Sequence, residues 1–440
     1  MKKNTFHLIS LGCAKNLVDS NVLAQLLEAE GMAYSETPEQ AEFVLVNTCG
    51  FIHDARQEST ETIREFADLK NSRQKLIVTG CLAERWRENL LKAYPGIDGL
   101  IGTRRLEDLV PLVKQLSSGG KVSAYLDYPA LQYAPGASYT TIQGGSSYLK
   151  IADGCHRSCA FCAIPGIKGS LVSRPVEDIL RDARFLEEAG VNEINLIAQD
   201  VTAYGVDRGE QDGLYDLLQK ILAEIPEVPW LRLLYTYPGM ISDNLINLMA
   251  ESERLLPYLD IPLQHASPDV LKSMRRPSDI DWVRRTINTM RERIPSLVVR
   301  TTLIVGFPTE TEGSFEEVCK FVEEMQFDNM GVFTYSPEIG TFAENLGDPV
   351  STEVKEARRE KLMELQSHLA LQKKQALIGQ TLDILVEGVD EEQAVLIGRS
   401  YRDAPEIDGL VVANGRAEVG DLTPVTIESV GPYDLFGSQR

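Results

Sequence analysis

A chain of 440 residues, 43% apolar and 25% charged, has the composition of a globular protein and the length of about three domains. No stretch reaches about 18 apolar residues, and the run Leu8–Gly12 after the basic start is too short for a signal peptide, so membrane insertion and secretion are not expected and the chain reads as cytoplasmic. A net charge of −21 makes a phosphate backbone the less expected partner and a basic surface the more expected one.

Residues 1–130 alternate strand-like and helix-like segments. Phe6–Leu11 reads as a strand, Leu17–Ala29 as a helix, Phe43–Val46 as a strand, His53–Leu69 as a helix, Leu76–Val78 as a strand and Ala83–Tyr94 as a helix. That rhythm predicts an α/β unit with an open parallel sheet. Pro135, Gly136, Gly144, Gly145, Ser146 and Ser147 mark 131–147 as a linker. Over 148–372 the rhythm returns at longer period. Strands are expected at Tyr148–Ile151, Glu193–Ile197, Leu231–Tyr235, Tyr258–Leu263, Val298–Val305 and Gly331–Tyr335, with helices such as Val176–Ala189, Leu214–Ala223 and Ser314–Met325 between them. This predicts a partial or full (β/α) barrel, closed off by a charged helix at about 352–378. Residues 373–440 change character. Leu382, Ile384 and Val386 alternate with Asp383, Leu385 and Glu387, and further strands at Val395–Ile397, Leu410–Ala413 and Val425–Val430 are punctuated by glycines. A small antiparallel β-barrel is expected there.

Seven cysteines in a chain of this length, without a signal peptide, argue against a disulfide framework. Cys155, Cys159 and Cys162 form C-x3-C-x2-C on the loop after the expected strand Tyr148–Ile151, the active-site face of a (β/α) barrel. Three soft thiolates can hold three irons of a cubane and leave the fourth open. The alternative is a zinc site with His156 or a distant group as fourth ligand, although zinc sites usually pair their cysteines as C-x2-C. Cys13, Cys49 and Cys81 are far apart in sequence, yet each follows one of the first three strands. Strand C-termini of a parallel sheet share one edge, so three thiolates can converge there; three buried free cysteines are the other reading. Cys319 lies on the apolar helical face Phe315, Val318, Val322, Met325 and reads as core. His265 reads as a structural histidine ahead of a catalytic one. For Arg300, a carboxylate of cofactor or substrate and a neighbouring helix both remain open as partners.

The C-x3-C-x2-C motif, with Phe161 before its last cysteine, resembles the signature of the radical S-adenosylmethionine superfamily. The resemblance implies that the open iron of a [4Fe-4S] cluster binds S-adenosylmethionine, that one electron cleaves it to a 5′-deoxyadenosyl radical, and that Phe161 lies against the adenine; a core aromatic supporting the loop is the alternative. Val305-Gly306-Phe307-Pro308 resembles the family's strand-to-glycine element and implies cofactor contacts at Gly306 and Pro308. Gly12-Cys13, Asn47-Thr48-Cys49 and Thr79-Gly80-Cys81 resemble the N-terminal domain of methylthiotransferases, which implies a second [4Fe-4S] cluster; the terminal barrel resembles the TRAM domain. Lys15-Asn16-Leu17-Val18-Asp19-Ser20, the segment 199–205 and the segment 398–409 resemble the branch that acts on ribosomal protein uS12. Ala14 departs from the proline that many relatives carry. The resemblance thus implies addition of a methylthio group to Cβ of an aspartate of uS12, with an electron donor and a sulfur source as further partners. Modification of a transfer-RNA adenosine, and a non-catalytic iron–sulfur or zinc docking protein, are the alternatives.

Charge at the C-terminus bears on that choice. From Leu377 to Arg440 there are twelve Asp and Glu, four Arg and no Lys, a net of −8. That suits a basic protein better than RNA; a merely solvated acidic surface is the other reading. Asp403 and Glu406 are expected among the docking charges, and Tyr433, Leu435 and Phe436 as packing or docking residues.

Overall fold

The computed structural model describes residues 4–119 and 130–439; Met1–Lys3, Arg440 and the chain just before the expected boundary at 130 lie outside the described residues. The N-terminal sheet is parallel throughout, in the order Ala33–Tyr34, Thr5–Ser10, Phe43–Thr48, Lys75–Gly80, Gly99–Leu100. Phe43–Thr48 runs through its centre and is buried along its whole length, which explains its unbroken apolar start. Val18, Val22 and Leu27 of the helix Ala14–Ala29 cover one face, and Ile63, Leu82 and Leu90 cover the other. The helix expected at Ala83–Tyr94 is two short ones, Cys81–Trp86 and Glu88–Ala93. They part at Arg87, whose φ of +48° ends the first turn and whose Nε donates to the Glu84 carbonyl at 2.9 Å.

All six strands expected in the central region form, and all run parallel. The sheet is open, so the barrel is partial. Its order is Asn329–Thr334, Val298–Val305, Leu255–Asp260, Trp230–Leu233, Glu193–Ile197, Ser146–Lys150, Thr140–Gln143. The last of these lies inside the segment whose composition reads as a linker. Gly144 and Gly145, taken as linker residues, instead close a hairpin that pairs Thr140–Gln143 antiparallel with Ser146–Lys150. Leu149, Ile194, Leu233, Leu259 and Leu303 face the helices; Lys150, Asn195, Arg232, Asp260 and Arg300, at the alternate positions, line a polar inner face.

The C-terminal strands close into a five-stranded barrel, in the order Thr381–Asp390, Val395–Ser400, Val411–Asn414, Leu435–Gln439, Leu422–Val430. It is not purely antiparallel, because Val411–Asn414 pairs parallel with Leu435–Gln439. A closed ring with an odd number of strands cannot alternate direction throughout, so one parallel pair is unavoidable. Leu435 is core, whereas Tyr433 and Phe436 stay exposed.

This barrel packs on the N-terminal ends of the core strands. Glu193, the first residue of its strand, receives Arg232 at 2.8 Å and Arg399 at 2.6 Å, and Arg402 reaches Asp328 at 3.1 Å. Arg300 pairs with Asp260 at 3.1 Å and with Asp408 of the barrel at 3.3 Å, so its partners are a neighbouring strand and the barrel. Asp403 is not a docking charge on the outer surface. It is buried and accepts from Ser400 Oγ at 2.7 Å, because its segment turns inward against the core.

Candidate functional site

Both cysteine sets lie at strand C-termini. Cys13 opens the helix Ala14–Ala29, Cys49 follows Phe43–Thr48, and Cys81 begins a helix straight after Lys75–Gly80. Three glycines let these turns approach one another. A Cβ on Gly12 would stand 2.6 Å from Cys49 Cβ and 2.9 Å from its Sγ; one on Gly50 would stand 2.8 Å from the Cys81 carbonyl carbon. At Gly80, φ is +92° and a Cβ would collide with Asn47 Oδ1 and the Thr48 carbonyl. Side chains at these positions would drive the thiols apart. Burial, together with the charges of Cys13 and Cys49, pushes the Cys81 thiol up to about 12 despite the opposing Lys168 ammonium. A bare thiolate is therefore disfavoured there, and a bound metal is the kind of partner that would stabilise one.

The second set sits on the loop after Ser146–Lys150. Gly154 makes the entry turn with φ +74°, and a Cβ there would meet the Ser170 carbonyl. The loop is pinned on both sides: Ala160 N donates to Met274 O at 2.8 Å, and Ala343 N donates to Ala160 O at 2.7 Å. Two donors are aimed at the sulfurs. Arg157 N lies 3.4 Å from Cys155 Sγ, and Arg276 Nη1 lies 3.6 Å from Cys159 Sγ. Arg157 and Arg276 also stack on the ring of Tyr237, at 3.9 and 4.6 Å from its centroid. Burial pushes the Cys162 thiol up to about 12, with Cys159 and Cys155 acting in the same direction. Among the described residues, no three His, Cys, Asp or Glu side chains are grouped to share one metal ion. A cubane spreads three thiolates over three irons, so three half-buried thiols on one loop, with donors at two of their sulfurs, fit a cluster.

Phe161 is half-buried and packs with Ile304 against a cluster that holds Ala160, Val270, Met274 and Phe307. Gly306 has φ +72°, and the stem of Lys355 fills the space where its Cβ would go. Pro308 is half-buried beside it. His265 is buried and satisfied: Nδ1 accepts from Ser267 N at 2.9 Å and Nε2 faces Glu310 at 3.2 Å. Cys319 lies in the core of the central region.

Three family models match this chain. Residues 5–102 match the uncharacterized protein family UPF0004, 149–322 the radical SAM superfamily and 378–439 the TRAM domain. The ribosomal protein uS12 methylthiotransferase RimO of Aquifex aeolicus is 44% identical over 433 residues, covering 98% of this chain and 96% of that one. The chain belongs to the RimO family. The RimO protein of Syntrophotalea carbinolica is 42% identical over 99% of this chain and 97% of its own. Among solved structures, the radical S-adenosylmethionine methyltransferase TsrM from Kitasatospora setae shares the fold, with a TM-score of 0.57 at 16% identity over 75% of this chain and 73% of its own. The cobalamin-dependent S-adenosylmethionine radical enzyme OxsB does so with a TM-score of 0.55 at 13% identity, over 82% of this chain and 56% of its own. The superfamily match supports an iron–sulfur cluster and S-adenosylmethionine in the central region.

The structure adds residues that the cysteine motifs do not reveal. Asp19, on the helix that Cys13 opens, binds Lys168 at 2.7 Å and also Lys150. Both lysines bind Asp153, at 3.0 and 3.2 Å, and Gln199 donates to the same carboxylate at 2.6 Å. Asp153 stands two residues before Cys155, so this buried network ties the two cysteine-bearing regions together. Burial pushes the Asp153 carboxyl up, but Lys150 and Lys168 outweigh it and hold the group well below the usual range. No periodicity marks these residues, because their partners come from segments 131 and 149 positions apart. The sole sequence signal is a charged residue between apolar neighbours, as Lys150 between Leu149 and Ile151.

Proposed function

We propose that this chain replaces a hydrogen on Cβ of an aspartate in ribosomal protein uS12 with a methylthio group, by a radical S-adenosylmethionine mechanism, in the cytoplasm. The observation that carries this reading is the joining of two three-cysteine sets, each at the strand C-termini of its own sheet, through the Asp19–Lys168–Asp153 network. Cys155, Cys159 and Cys162 would hold one [4Fe-4S] cluster, and Cys13, Cys49 and Cys81 a second. The first, with S-adenosylmethionine bound, would supply a carbon radical able to take hydrogen from an unactivated C–H bond, and the second would carry the sulfur to be transferred.

The protein's own residues serve that chemistry in three ways. Arg276 and the Arg157 amide donate to thiolate sulfurs and stabilise their charge. Phe161, Gly306 and Pro308 border the place expected for the adenosine. The barrel closes the N-terminal end of the core through Glu193, Arg399 and Asp408, leaving the opposite, cysteine-bearing end as the way in. An electron donor and a sulfur source must come from outside the chain. The exposed barrel acids, among them Asp383, Glu391, Glu392, Glu418, Asp421 and Glu428, favour a basic protein over RNA.

Mass spectrometry of uS12 from cells with and without this protein tests the reading. A methylthio-aspartate that appears only with the protein is expected. Unmodified uS12 together with a protein-dependent methylthio-adenosine in transfer RNA would transfer the chain to the other branch.

A further inference from the structure

Around the two cysteine sets, most cations are already engaged. Lys150 and Lys168 each bind two carboxylates, and Arg157 donates to Asp200 at 3.1 Å. Arg276 donates to Pro262 O and to Cys159. Lys15 differs. It stands two residues after Cys13, on the first turn of the helix Ala14–Ala29, and its ammonium sits 3.2 Å from the centroid of the Tyr235 ring. Tyr235 belongs to the central region and follows the strand Trp230–Leu233 at its C-terminal end. Lys15 thus crosses from the Cys13 side to the Cys155 side. Among the described residues no carboxylate forms an ion pair with it. Its nearest attractions are to Tyr235, whose hydroxyl also hydrogen-bonds it, and to Cys13; Asp153 acts only from farther off and is itself engaged by Lys150, Lys168 and Gln199.

The platform under this lysine is held in place. Tyr235 has φ +64°, a conformation that side-chain-bearing residues seldom adopt. Its N–H reaches Asp260 Oδ2 at 3.3 Å, and its carbonyl accepts from Val201 N at 3.0 Å. A half-buried ammonium on an aromatic face, at a helix N-terminus whose first turn holds no acidic residue, is arranged to receive an anion. In a chain with 65 acidic and 44 basic residues, a lysine without an acidic partner at such a place calls for a ligand.

We propose that Lys15, seated on the Tyr235 ring between the two cysteine sets, binds the side-chain carboxylate of the target aspartate. This rests on the uS12 reading above and adds to it the group that recognises the residue to be modified. The carboxyl carbon of an aspartate is bonded directly to Cβ. Fixing the carboxylate on Lys15 therefore holds Cβ between the two sites and selects aspartate over asparagine, since a charge-assisted hydrogen bond is lost with the amide.

The test uses the reconstituted holoenzyme with full-length uS12, and with uS12 carrying asparagine at the target position. Binding constants are measured for the wild type, Lys15→Met, Lys15→Arg and Tyr235→Phe, with iron per chain recorded for each. The wild type should bind the aspartate form roughly 10- to 100-fold more tightly than the asparagine form. Lys15→Met should remove that preference, with Lys15→Arg restoring part of it. Equal binding of both forms by the wild type overturns the proposal without any variant having to fold. So does a Lys15→Met protein that keeps the preference, or one that loses affinity equally for both forms. A fall in S-adenosylmethionine affinity with the preference intact would assign Lys15 to the cofactor carboxylate instead, and would overturn it. If the wild type fails to modify uS12 at all, the proposed function itself falls; turnover by the wild type together with an unchanged Lys15→Met overturns only the carboxylate contact.

Discussion

The two cysteine sets reach a similar arrangement by opposite routes. Cys155, Cys159 and Cys162 lie within eight residues of one another on a single loop, so a turn at Gly154 and two backbone pins suffice to shape them. Cys13, Cys49 and Cys81 come to one edge only because three parallel strands end there and three glycines leave room between their turns. The first set is a local device, and the second depends on the register of a whole sheet. Perturbing the sheet should therefore harm the second set and spare the first.

Removing thiolates gives the largest separation. The anaerobically reconstituted protein should hold about eight irons per chain. Replacing Cys155, Cys159 and Cys162 by Ala should halve that and abolish reductive cleavage of S-adenosylmethionine. Replacing Cys13, Cys49 and Cys81 should halve the iron and abolish methylthiolation while cleavage persists, as read from 5′-deoxyadenosine. Loss of cleavage in a well-folded protein of the second kind would remove the division of labour.

Next in size is the network between the sets. Asp19→Asn leaves Lys150 and Lys168 short of one buried carboxylate, a loss of about 3–5 kcal/mol. A clear fall in Tm is expected; an unchanged Tm would mean that the two regions are held together by apolar packing alone. The glycines come third. Gly80→Ala, at φ +92°, should destabilise by roughly 1–3 kcal/mol and lose the iron of the strand-end set only. Gly154→Ala, at φ +74°, should instead impair cleavage of S-adenosylmethionine. Iron counts that fall alike in both variants would erase the distinction.

The barrel gives a smaller, pH-dependent effect. Burial raises the Glu193 carboxyl, but Arg232 and Arg399 outweigh it and hold the group at about 2. A depressed folded pKa contributes stability above the ordinary Glu value of about 4.3, and that contribution is lost as pH falls towards 2. Thermal unfolding across this window should lose stability with acid more steeply in the wild type than in Glu193→Gln; parallel curves would deny the linkage. The smallest effect is expected at exposed acids. Glu391→Lys with Glu392→Lys should slow association with uS12 a few-fold, by about the amount typical of rim charges. Asp403→Lys should instead unseat the barrel, since that carboxyl is buried.

That last contrast marks where reading the sequence stopped short. Net charge on the terminal segment is a sum over residues, and it assigned Asp403 to the outer surface along with Glu406. Only the fold separates them, because Asp403 is buried against the core while Glu406, three residues on, stays exposed. Thr140–Gln143 was missed for a related reason: Gly144 and Gly145 are as compatible with a linker as with a hairpin, and the choice between them lies with the neighbouring strand.

The sequence by itself determined the three-part organisation, the six parallel strands of the central region and the position of six cysteines just after strand ends. Apolar periodicity and short-range spacing are properties of consecutive residues, and they carried that information. Tertiary structure alone decided that the central sheet stays open, that Arg300 answers to Asp260 and Asp408, that Asp19 locks both lysines beside the Cys155 loop, and that Lys15 lies on Tyr235. Each of those contacts joins residues dozens to hundreds of positions apart. Their energies depend on burial and distance, which no local pattern encodes.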